Sequence, residues 1–330
     1  MSGGFPKLNF NFSDSTENRD LKEAKLLLLF FLVLVIISII GLGIVERKDR
    51  ISSEDLRSQL EFKLEPTYDF KKISYNSYQQ WVSLLDNYKV DEAGRLLEIP
   101  HFKIIEFPKD MDQIKSIAKR KRIFFNIVAI GAYHPNQRIL KQRELLQKIS
   151  QQYYFYGYLA EQSKEWLQEK FSIYNIKETG KWRDEIKSLE KRLDIIPLSL
   201  ILAQAASESG WGTSRFTIKA NNIFGEWTFD SDAPGIIPKQ RPANASYKIR
   251  KFSSIQRAIN SYLLNLNTHP AYSQLRKIRF ELREEGKELN SLKLSAGLLN
   301  YSQKREEYVE QINNIIKYNH LQEFDSLLRK

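Results

Sequence analysis

The rhythm of apolar and polar residues changes along this chain, and each change predicts a different kind of element. The first stretch, LLLLFFLVLVIISIIGLGIV at residues 26–45, is uncharged throughout. A helix of about 20 residues covers the roughly 30 Å hydrocarbon core of a bilayer, and buried core helices rarely run this long without a polar face. A transmembrane helix is expected here. The tail before it is of mixed charge, and GLGIVERKDR offers no small-residue cleavage site, so the pattern favours an uncleaved anchor over a signal peptide. Lys22 and Lys25 on one side, against Arg47, Lys48 and Arg50 on the other, leave its orientation open.

Residues 46–106 are mixed and charged, with tyrosines in LEPTYDFKKISYNSYQQW, and read as a juxtamembrane spacer with some structure of its own. From Asp110 the rhythm turns helical. Ile114, Ile117, Phe124, Ile127 and Val128 recur near helical spacing, and HPNQ at 134–137 is expected to break the run. Further helices are expected over 137–150, 158–171, 182–193, 254–267 and 305–318. Phe125, Tyr153, Tyr154 and Phe155 are expected in the core. NIFGEWTF and SYKIRKFS alternate as strands do, and the Pro- and Gly-containing sequence between them suits a small hairpin lobe.

The run DIIPLSLILAQAASES carries Pro197 where a first helical turn accepts it and sets Leu198, Ile201, Leu202 and Ala205 on one face. Gly210 and Gly212 end the helix, so Glu208 should fall in its last turn. The partial negative charge of a helix C-terminus disfavours an ionised carboxylate there. Burial beside Trp211 would push the same way and keep the acid protonated, as a general acid requires.

Composition narrows the chemistry. The chain has 330 residues, with 51 basic against 40 acidic side chains and a net charge of +11, which admits a polyanionic partner. No nucleic-acid motif accompanies that charge, so nucleic acid is not expected. Cysteine is absent, and His101, His134, His269 and His320 lie far apart with no HExxH pair. Cysteine nucleophiles and thiolate metal sites are thereby removed, a zinc peptidase is disfavoured, and no metal or cofactor is expected.

AQAASESGWGTSRF followed by NNIFGEW resembles the glucosaminidase domain of glycoside hydrolase family 73, in its Bax-like branch. The resemblance runs from FPKDMDQIKSIAKRKRIFF through GIIPKQRPANASYKIRKFSS, AINSYLLNLNTHPAYSQLRKIR and LSAGLLNYSQKREEYVEQINNII to NHL, about residues 107–321. It implies a mainly α, lysozyme-like fold with a small β-lobe beside a sugar groove, cleaving the β-1,4 bond after N-acetylglucosamine in peptidoglycan. On this reading 107–195 is a helical region preceding the catalytic core at 196–325.

Carried over residue by residue, the resemblance makes Glu208 the general acid. Tyr301 positions the reacting sugar, in NYSQ where the family has GYA. Asn222, Phe224 and Gly225 form the NxFG element, and Trp211 and Trp227 are groove-wall or sugar-stacking aromatics. A second carboxylate would come from Glu226, Asp230 or Asp232, with Glu226 nominated; alternatively the substrate's acetamido group is the nucleophile. A wall-facing catalytic domain would put residues 1–25 in the cytoplasm, residues 26–45 in the bacterial inner membrane and the domain in the periplasm. A non-catalytic peptidoglycan-binding module and a lytic transglycosylase are the alternatives.

Overall fold

The computed structural model describes residues 70–238, 241 and 245–329. The apolar run at 26–45 and most of the spacer lie outside the described residues, among which no helix is long and apolar enough to cross a membrane.

The described chain opens with strand β1, Lys71–Ile73, then helix α1, Tyr78–Leu85, then strand β2, Phe102–Ile104. Ser77 starts α1 through a capping box with Gln80. The two strands pair in parallel, Ile73 opposite Ile104. Both isoleucines are buried, and β2 packs on the long helix that follows.

That helix, α2, runs from Ile117 to Tyr156 without interruption, so the break expected at HPNQ does not occur. Pro135 lacks the N–H that would bond the carbonyl of Gly131, and its ring crowds that carbonyl. The side-chain amide of Gln256 donates to the Gly131 carbonyl instead, at 2.8 Å. Ile259 packs so close that a Cβ at position 131 would lie 2.4 Å from its Cδ1. A partner 125 residues away in sequence thus supplies what the proline removes. The aromatic expectation is also corrected. Phe125 is buried, but Tyr154 and Phe155 are exposed and Tyr153 is only half-buried. Successive residues on a helix point about 100° apart, so consecutive aromatics in its last turns cannot all face one neighbour.

Helices α3, Glu161–Ile173, and α4, Trp182–Arg192, lead to α5, Leu198–Ser209. Leu198, Leu200, Ile201, Leu202, Ala203, Ala205 and Ala206 of α5 are all fully buried, and the helix packs against α2, a later helix and the C-terminal 3-10 segment Leu321–Arg329. A helix apolar on nearly every side belongs in a core. Pro197 gives its N-terminus no side-chain cap. Asp325 of the C-terminal segment supplies one, accepting from Ser199 N at 2.9 Å and Ser199 Oγ at 2.6 Å.

After α6, Arg215–Ala220, comes the lobe: β3, Trp227–Thr228, β4, Gly235–Ile236, and β5, Lys248–Arg250. The strand order is β3-β5-β4, antiparallel, with Trp227 opposite Ile249 and Gly235 opposite Arg250. The expected hairpin is therefore a three-stranded sheet, because residues between the two predicted strands return to the free edge of β5. The chain continues through α7, Ile255–Thr268, α8, Ser273–Glu284, α9, Ser291–Ser295, and α10, Glu306–Tyr318. The architecture is mainly helical with a small sheet, in keeping with a lysozyme-like fold.

Candidate active site

The site grows from the end of α5. Gly210 closes the helix at φ 55°, and Trp211 and Gly212 follow at φ 59° and 81°. Only glycine fits at 212, where a Cβ would lie 2.3 Å from Phe107. A left-handed tryptophan is uncommon. Trp211 packs edge-on to Phe124 and Phe125 with Lys121 over its face, lining a cleft between α5 and α10 with Ser207, Gln311 and Asn314. The titratable groups that bear on the Glu208 carboxyl are tyrosines.

Glu208 lies in the last turn of α5, half-buried, with Tyr308 near enough to act on its carboxyl. Burial pushes its pKa up, and Tyr308 opposes this only in part. Gly225 faces it, the position of an added Cβ being 3.6 Å from Oε2. Tyr301 donates to the Phe224 carbonyl at 3.1 Å, and its ring lies parallel to that of Tyr308 with centroids 5.3 Å apart. Phe224 is buried and stacks on Tyr262 at 3.8 Å. Glu208 helps hold the hydroxyls of Tyr262, Tyr272, Tyr301 and Tyr308 above their ordinary range, second to burial at Tyr308 and lower in order at the rest.

Asn222 ties the lobe to this wall. Its Nδ2 donates to the carbonyls of Glu226 and Arg250, both at 2.8 Å, and its Oδ1 accepts from Glu226 N at 3.0 Å. Glu226 points inward. Its Oε2 accepts from Ser261 Oγ at 2.8 Å and lies 3.8 Å from the Arg250 guanidinium, whereas Oε1 is buried with no hydrogen-bond partner. Burial pushes this carboxyl up to about 7 against the pull of Ser261 and Arg250. Tyr262 and Tyr272 feel both Glu208 and Glu226, so the two acids share one phenolic wall.

The structure thus gathers Glu208, Tyr301, Asn222, Phe224, Gly225 and Glu226. Trp211 sits in the neighbouring cleft. Trp227 is exposed on the lobe, stacked on Tyr247 at 4.4 Å with Phe229 at its edge. Asp230 and Asp232 are exposed, and Asp230 accepts from the backbone N–H of Asp232. Among the described residues no three His, Asp or Glu side chains gather as a metal site would need. Sequence reasoning missed Gln204, Ser261, Tyr262, Tyr272 and Tyr308. Gln204 alone carried a readable signal: a polar residue four before Glu208 inside the apolar run Leu200–Ala206.

A mainly helical body with a small sheet, and at a helix end a carboxyl held toward its protonated form, is in keeping with a lysozyme-like frame. A family model described as glucosaminidase, mannosyl-glycoprotein endo-beta-N-acetylglucosaminidase, matches residues 183–321. Protein bax of Escherichia coli is 34% identical over 203 residues, which cover 60% of this chain and 69% of that protein. The chain belongs to the Bax-like proteins with a family 73 glucosaminidase domain. No solved structure matches it.

Proposed function

We propose that this protein is an endo-β-N-acetylglucosaminidase that cleaves the β-1,4 bond after N-acetylglucosamine in peptidoglycan, with Glu208 as general acid. The observation that carries this reading is the half-buried Glu208 carboxyl, at a helix end among tyrosines and held toward its protonated form. Glu208 gives its proton to the glycosidic oxygen as that bond breaks. Tyr301 sits on the same wall and positions the reacting sugar. Glu226 is the second acid of a paired mechanism; if the acetamido group attacks instead, Glu226 serves as a hydrogen-bond partner to it. Trp227, with Tyr247, offers an exposed aromatic face of the kind that stacks on sugars.

Residues 26–45 anchor the protein in the inner membrane, 1–25 stay in the cytoplasm, and 46–106 lead to the catalytic domain in the periplasm. The length and apolarity of that run support this. Within the domain, 107–195 precede the core at 196–325.

The test is a digest of purified sacculi by the full-length protein. New reducing N-acetylglucosamine ends are expected. Anhydro-muramic ends would reassign the protein to the transglycosylases, and sacculi bound but uncut would leave a wall-binding module. Protease added to spheroplasts should reach the domain; its protection would overturn the orientation.

A further inference from the structure

The hydrogen bonds behind Glu208 have a direction. Tyr262 donates to Gln204 Oε1 at 2.6 Å, and Gln204 Nε2 donates to the Tyr308 oxygen at 3.1 Å. Gln204, Tyr262 and Tyr308 are all buried, where an unmet polar group costs free energy that water does not repay. An amide has one accepting and one donating end. With the accepting end taken by Tyr262, the donating end must face Tyr308. The Tyr308 oxygen is then an acceptor from Gln204, and its own proton is left free to turn toward Glu208, which stands one helical turn beyond Gln204 on the same face of α5.

We propose that Gln204 and Tyr308 are positioning residues, in which Gln204 turns the Tyr308 hydroxyl proton onto one oxygen of Glu208 and so directs the transferable proton to the other oxygen. The inference rests on Glu208 being the general acid. A protonated carboxyl has one O–H and one bare oxygen, and the bare one, the stronger acceptor, is the one that receives the Tyr308 donor. The proton Glu208 gives up therefore sits on the oxygen that Tyr308 does not hold. Once it has moved to the glycosidic oxygen, the same Tyr308 bond stabilises the carboxylate left behind.

The titratable groups that face Glu208 are phenols: Tyr308 from α10, Tyr301 from the loop before it, Tyr262 from α7 and Tyr272 from the turn after α7. Glu226 and Arg250 stand across the lobe contact at Ser261. Tyr308 is the side chain that holds Glu208 back from a still larger rise. Removing its hydroxyl raises the acid's titration further, whereas a merely structural loss would leave that titration where it is.

The experiment uses the full-length protein in detergent, with glutamate labelled at the carboxyl carbon. It reads the Glu208 titration by NMR alongside the alkaline limb of kcat/KM on sacculus fragments. In Tyr308→Phe both are expected to move up by about one pH unit, with kcat down about tenfold and KM nearly unchanged. In Gln204→Met the hydroxyl remains but is no longer aimed, so both move the same way by less. A Tyr308→Phe protein with unmoved titration and full kcat overturns the proposal. Should that variant not fold, an unmoved titration in Gln204→Met overturns it. A Glu208→Gln protein that stays active would sink the general-acid reading itself; an inactive one beside an unmoved Tyr308→Phe titration sinks this inference alone.

Discussion

Two acids bracket helix α5, buried Asp194 just before it and half-buried Glu208 in its last turn, and their surroundings differ in kind. Asp194 receives Arg283 on both oxygens at 3.0 Å, with Arg143 at 3.5 Å and Arg279 at 3.9 Å. Glu208 meets phenols. Burial pushes both carboxyls up, but at Asp194 the three arginines outweigh it and the pKa falls below the ordinary value. At Glu208 only the Tyr308 hydrogen bond opposes burial, and the pKa rises. Permanent counter-charges pin an acid in its ionised form, whereas neutral donors leave it able to exchange a proton. The arginines also hold the joint before α5: Arg143 and Arg279 donate to the carbonyls of Glu190, Lys191, Arg192, Leu193, Asp194 and Ile195.

Removing each charge should separate the two roles. Glu208→Gln keeps the shape and takes away the proton, so turnover is expected to fall at least about 10²–10⁴-fold while the melting temperature stays at or above that of the wild type. Asp194→Asn should do the reverse, lowering stability by about 3–5 kcal/mol because buried guanidinium groups lose their partner, with activity per folded molecule retained. Sacculus turnover and urea unfolding of both variants check this. Turnover by folded Glu208→Gln near the wild-type rate would break the comparison.

What the sequence disclosed follows the range of the interactions involved. Pro197, Gly210 and Gly212 act within a turn, so the helix carrying Glu208 and its place in the last turn were legible. The passage of α2 through Pro135 depends on Gln256 from a distant helix. The phenolic wall is assembled from α7, the turn after it, the 301 loop and α10, and each tyrosine in its own segment reads as ordinary packing. The expected anchor and the expected spacer up to residue 69 fall outside the described residues.

Glu226 sharpens the comparison through pH. Its folded pKa of about 7 lies above the 4.5 of an ordinary glutamate, so between those values the native state holds a proton that the unfolded state has lost. Its contribution to stability is complete below about pH 4.5, falls as pH rises through about 7 and then levels, a change of about 3 kcal/mol at most. Asp194, depressed by arginines, contributes stability that is lost as pH falls through its folded pKa. Relative to wild type, Glu226→Gln should therefore gain stability between pH 5 and 8, and Asp194→Asn should lose least at acid pH. Urea midpoints at both pH values read the two signs, and a flat difference for Glu226→Gln would mean the carboxyl is not buried as described.

The smallest effects are expected at the other two lobe acids. Asp230 and Asp232 are exposed, and their recorded bonds stay within their own turn: Asp230 accepts from Asp232 N at 2.9 Å and Asp232 from Ser231 Oγ at 3.3 Å. Neither meets a phenol or a guanidinium in these bonds. Asp230→Asn and Asp232→Asn should each change stability by no more than about 0.5 kcal/mol and leave sacculus turnover within about twofold. Glu226→Gln is the informative control in the same assay. If its loss matches that of Glu208→Gln, two protein carboxylates carry the reaction; if substantial turnover remains, the acetamido group of the substrate is the nucleophile. A loss at Asp230 or Asp232 as large as at Glu208 would mean that an exposed lobe acid closes onto the bound glycan, and the contrast between buried and exposed acids would no longer predict role.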